Sequence, residues 1–167
     1  MTLFVHIADE RDAAAIRRSG LTLPRGRGMR DEGVFAMPVI SDFQVTHQWV
    51  RELKRSGFNT AVGVYFRIPD DTSVLAGPYN EGKQVMTASE AAALLQRSRL
   101  LGFETLIPQS IEARAIHAIR RLPQTVGWRY FPGAHERGIF CGCAYCQRGS
   151  FNSRKIRQAY EAESGRV

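Results

Sequence analysis

Thiols are scarce in this chain of 167 residues, which has three cysteines, all inside "CGCAYC" at Cys141, Cys143 and Cys146. A disulfide is the least favoured reading: the count is odd, and Cys141 and Cys143 sit too close for an unstrained bridge. Long apolar runs are also missing, and none approaches the roughly 20 residues of a membrane-spanning helix. The opening "MTLFVHIADERD" lacks the basic start of a secretory signal, which points to a cytoplasmic protein. No Walker loop, H-E-x-x-H, G-x-S-x-G or G-x-G-x-x-G occurs, and "RGRG" is too short to cradle a phosphate. Repeats, low-complexity tracts and long linkers are absent too. The length suits one domain with a core of its own.

Acidic residues are lacking where basic ones gather. The formal net charge is +7, and residues 110–167 carry 10 basic against 4 acidic side chains, so most of the excess lies there. Arginine dominates that stretch, and its planar fork suits phosphate better than the point charge of lysine. Nucleic acid is therefore the first partner to consider, contacted by Arg129, Arg148, Arg154 and Lys155. In "VGWRYFPG" the rings of Trp128 and Tyr130 flank Arg129, an arrangement that pairs base stacking with a phosphate contact.

Three thiols at C-x-C-x-x-C supply three of the four ligands of a tetrahedral zinc site. His135 is the candidate fourth ligand, with His117 as the alternative. Such a closed site has no open position, so its zinc would be structural and would order the arginine-rich segment. Three unligated thiols are the other reading.

Along the chain, strands are expected at 2–7, 33–40, 60–68, 103–108 and 126–132. Asp9 and Gly20 bracket a first helix. Ser41 and Gly57 bracket a second, with Phe43, Val50 and Leu53 on one stripe. Thr87 and Glu90 form a capping box for a third. Ser110 opens a fourth, with Ile111, Ile116, Ile119 and Leu122 inward. Residues 23–33 read as an exposed Arg/Gly loop. Strands and helices mix without a doubly wound βαβ series, which indicates an α+β fold. Residues 1–125 form the core and residues 126–167 a basic Cys/His extension.

The phrases "LFVHIADERDAAAIRRSGL", "EGVFAMPV" and "GFETLIPQSIEARAI" follow one another in an order that resembles the ADP-ribosyltransferase-like superfamily. That superfamily includes NAD-dependent ADP-ribosyltransferases and RNA 2′-phosphotransferases. The resemblance spans residues 1 to about 120 and implies a mixed sheet with short helices. It also implies NAD as a substrate, with His6 and Glu104 as catalytic residues. His6 would bind a ribose hydroxyl, Phe35 would flank the nicotinamide, and Glu104 would stabilise the charge that develops on the ribose. Phe35 stands where tyrosine is commoner. Arg25 and Arg27 are candidates for the pyrophosphate, and Tyr65, Tyr79 and Arg67 for the walls of the same cleft. The implied function is ADP-ribosyl transfer to a nucleic acid, or a related phosphate transfer. Two alternatives are a non-enzymatic zinc-containing nucleic-acid-binding module and a protein ADP-ribosyltransferase.

Overall fold

The computed structural model describes residues 1–23, 33–79 and 81–127. Seven strands form one sheet: β1 (Thr2–Asp9), β2 (Val34–Pro38), β3 (Ala61–Ile68), β4 (Ser73–Pro78), β5 (Gln84–Thr87), β6 (Phe103–Ile107) and β7 (Ile116–Arg121). Their order across the sheet is β5-β4-β6-β2-β1-β3-β7. Every pairing is antiparallel, where a mixed sheet was expected. The fold is α+β, with helices α1 (Ala13–Ser19), α2 (Phe43–Thr46), α3 (Val50–Arg55) and α4 (Ala88–Ser98).

β3 is the most apolar strand, and seven of its eight residues are buried. It pairs with β1 over the whole length of both, Thr2 opposite Ile68 through Asp9 opposite Ala61. The stacked rings of Phe4 and Phe66, 6.2 Å apart, mark the middle of the main core. A second cluster joins Ile7, Val50, Ala61, Leu122 and Val126 beneath α3.

The ends of the elements follow local chemistry. Asp9 accepts from the Arg11 amide and starts a 3₁₀ turn that runs into α1. Gly20 ends α1 at φ 78°, a conformation that favours glycine, and Leu21 then bridges to Ile111. The Thr87–Glu90 capping box opens α4 as the spacing predicts.

Three expectations are corrected. The helix expected from Ser41 to Gly57 is two short helices, and Asp42 caps the first by accepting from the Gln44 and Val45 amides. Between them the backbone tightens to i→i−3 bonds, Gln48 N–H to Val45 O and Val50 N–H to His47 O, while the buried Gln48 side chain donates to Leu100 O and accepts from the Gly102 amide. The helix expected from Ser110 is instead a 3₁₀ turn at Ala113–Ala115 followed by β7. Its β-branched isoleucines suit a strand, and β7 supplies the backbone partners that β3 would otherwise lack. At 126–132 the described residues, Val126 and Gly127, form no strand, and the rest of that stretch lies outside the described residues. The sequence reading also named neither β4 nor β5 as a strand. Among the described residues no helix is long and apolar enough to cross a membrane.

Candidate functional site: a cleft at the split between two strands

β1 and β2 pair over two positions only, Phe4 with Pro38 and Val5 with Met37. Beyond them the two strands have no further ladder pairs. His6 spans the interval instead: its Nδ1–H donates to Phe35 O at 2.7 Å. A carbonyl can only accept, so this bond assigns the proton to Nδ1 and leaves Nε2 with a lone pair. Burial pushes the imidazole below its ordinary range, against the smaller opposing pull of the Phe35 carbonyl. The neutral ring is therefore the working form at pH 7, held in one tautomer with an acceptor to offer.

The cleft that opens here has a volume of about 560 Å³, and His6, Phe35 and Glu104 all line it. They come from three neighbouring strands, β1, β2 and β6. Phe35 is 47% exposed, which is unusual for a phenylalanine in the interior of a sheet and leaves its ring open to a ligand. Glu104 lies mostly within the fold, and Lys83 Nζ meets its Oε2 at 2.9 Å while also donating to Pro78 O. Thr105, next along β6, lines the same cleft, and its buried hydroxyl has no hydrogen-bond partner among the described residues.

Opposite the strands, α3 and the residues before it form a wall. The Trp49 indole N–H donates to Phe103 O at 2.7 Å, which fixes the ring beside Tyr79 at a centroid distance of 5.4 Å. Glu52, Leu53 and Arg55 continue that wall. At the far end Asp9 receives the Arg11 guanidinium and the Asn59 amide, which hold its carboxyl far below the usual range. Asp9 is thereby structural, since its lone pairs serve the turn into α1.

No protein-family model, curated protein or solved structure matches the chain.

Of the residues nominated from sequence, His6, Phe35, Glu104 and Tyr79 share this cleft. Tyr65 and Arg67 lie outside its lining, on β3. His117 is on β7, exposed beside Tyr65. Arg25 and Arg27 lie outside the described residues, as do Cys141, Cys143, Cys146, His135, Arg129, Arg148, Arg154 and Lys155. Trp49, Lys83 and Thr105 were not nominated. Trp49 had one signal, a large indole in an otherwise polar helical stretch. Lys83, in "NEGKQ", had none.

Arranged in this way, the cleft offers a flat apolar ring, a neutral imidazole acceptor and a carboxylate around one volume. Such a set can hold a heteroaromatic group, bind a sugar hydroxyl and stabilise positive charge.

Proposed function

We propose that the protein transfers an ADP-ribosyl group from NAD to a nucleic acid and releases nicotinamide. The observation that carries this reading is the meeting of His6, Phe35 and Glu104 in one cleft. In the proposed step the bond between ribose C1′ and the nicotinamide nitrogen breaks, and its electron pair leaves with nicotinamide. The positive charge shared by C1′ and the ring oxygen is stabilised by the Glu104 carboxylate, where preorganised charge is most effective. His6 Nε2 accepts from a ribose hydroxyl, and the Phe35 ring covers the face of the departing base. An oxygen or nitrogen of the acceptor then bonds to C1′ and gives up its proton to water. Lys83 fixes the position of the carboxylate from the side.

The test is nicotinamide release from NAD, followed chromatographically with and without an oligonucleotide acceptor. Glu104→Gln keeps the shape and removes the charge, and the rate is expected to fall by about 100-fold or more. No release from the unaltered protein, or equal release from both, overturns the reading.

A further inference from the structure

On the other side of β1, β3 and β7 assemble a second feature that the cleft does not use. Their ladder runs from Val62 opposite Arg121 to Tyr65 opposite Ala118 and then shifts, so that Phe66 faces Ile116. His117 is the extra residue of this bulge. An added residue of this kind re-aims a side chain, and here it brings His117 to the side of Tyr65, with ring centroids 6.3 Å apart. Arg67 is two residues from Tyr65 on β3, hence on the same side, and Arg120 is opposite Gly63 on that side as well. Gly63 leaves room there, because the Tyr65 ring lies against the position that a Cβ would take.

Three nitrogen cations or potential cations thus gather around one bulge. Among the described residues neither Arg67 nor Arg120 forms an ion pair. Their neighbours do: Arg121 bonds Glu10 at 2.7 Å, and Arg114 bonds Glu112. Partial desolvation of the exposed ring, followed by the charges of Arg67 and Arg120, holds His117 below the ordinary imidazole range. The protein therefore keeps like charges together at a site where a carboxylate would relieve them. An anion from outside would do the same.

We infer that the Arg67–His117–Arg120 surface binds the phosphate backbone of a nucleic acid. The groups are exposed or half-exposed and spread along two strands, unlike the enclosed cradle that a lone phosphate needs. The sequence after β7 carries charge of the same sign, 7 basic against 3 acidic side chains over residues 122–167, net +4. A long polyanion with regularly spaced charges fits both facts. The inference extends the acceptor half of the reading above, but it requires no turnover.

The experiment is fluorescence anisotropy of a labelled 20-nucleotide single strand, as DNA and as RNA, with the full chain, no NAD, and salt from 50 to 300 mM. Each neutralised phosphate contributes about 0.7 to the log–log salt slope for single strands. Replacing both arginines, Arg67→Gln with Arg120→Gln, is expected to flatten the slope by about 1.4, which at 0.1 M salt weakens binding about 25-fold. Each single variant is expected to show about half of that slope change, so the inference stays testable if the double variant does not fold. Nicotinamide release without acceptor is expected to be unchanged in these variants, whereas Glu104→Gln is expected to keep the full salt slope. An unchanged slope and affinity in both singles and the double overturns the inference. So does displacement of the oligonucleotide by polyglutamate as effective as by unlabelled oligonucleotide at equal charge, which would assign the surface to an acidic polypeptide.

Discussion

Acidification should loosen one wall of the cleft, and His47 sets how far. This residue is 1% exposed at the C-terminal end of α2. Its Nδ1–H donates to Phe43 O at 2.9 Å, and its Nε2 accepts from the Tyr65 hydroxyl at 2.8 Å. Both nitrogens are satisfied in the neutral ring. Burial lowers its pKa to about 4, outweighing the bond to the Phe43 carbonyl, which acts in the opposite direction. An unfolded chain takes up that proton near pH 6.5, so below this pH it binds a proton that the native protein refuses. Stability therefore rises with pH across this window and is lost as pH falls from about 6.5 to about 4. At about 1.4 kcal/mol per pH unit, the loss comes to about 3 kcal/mol. Urea unfolding from pH 7 to pH 4 measures it. His47→Gln cannot titrate, so the wild-type curve is expected to steepen relative to the variant by about that amount. The comparison is needed because His6 and His117 are also depressed and act in the same window. The depressed carboxylates, Asp9, Glu10, Asp70 and Glu90, act lower: their contribution is full above the ordinary carboxylate range and is lost as pH falls through their folded values. Parallel curves for wild type and His47→Gln down to pH 4 would refute the reasoning. The functional corollary is direct, because Trp49 follows two residues later and brings its indole to the cleft.

Two further perturbations have expected outcomes of similar clarity. Gly20→Ala would place a Cβ 2.0 Å from Ile111 O at a residue with φ 78°, so a loss of at least about 2 kcal/mol is expected. Thermal melting reads this as a fall of roughly 5 °C, and an unchanged midpoint would mean that the Leu21–Ile111 bridge is not rigid. Lys83→Met leaves the half-buried Glu104 without its ammonium and is expected to cost about 1–3 kcal/mol. Adding Glu104→Gln is expected to recover most of that loss. Additive losses in the double variant would show that the pair contributes nothing to stability.

Much of the fold was legible because local and global preferences agree. Asp9 and Gly20 around α1, the Thr87–Glu90 box and the apolar β3 each signal one element, and the packing leaves each as signalled. Where they disagree, tertiary demands decide. The isoleucines at 111, 116 and 119 fit a helical stripe nearly as well as a strand, and the backbone of β3 settles the matter by pairing with β7. The break between α2 and α3 was illegible because the contacts that accompany it, the side-chain bonds of Gln48 to Leu100 and Gly102, span more than 50 residues. The same holds for the cleft. His6, Phe35 and Glu104 were nominated through a likeness of phrases, whereas Trp49 and Thr105 join them in the cleft, and Lys83 meets Glu104, only once the sheet is assembled.

The register makes that assembly less obvious than the result suggests. Ala36 is opposite Thr105, and extending the short β1–β2 ladder by one step would put His6 opposite Ala36. In a continuous sheet residues directly opposite one another share a face, and their neighbours along the strand take the other. His6 and Thr105 would then point one way, Phe35 and Glu104 the other, and no ligand could touch all four. The ladder between β1 and β2 ends after Val5 and Met37, which removes the constraint. Past that point the imidazole turns across the gap to the Phe35 carbonyl instead of standing over a closed face. The cleft thus opens where β1 and β2 part, and residues of both parities line it. Shortening the ladder costs backbone hydrogen bonds, and the bond from His6 to Phe35 restores one of them. A substitution that removed this imidazole donor would leave a carbonyl unpaired at the point where the two halves of the sheet diverge.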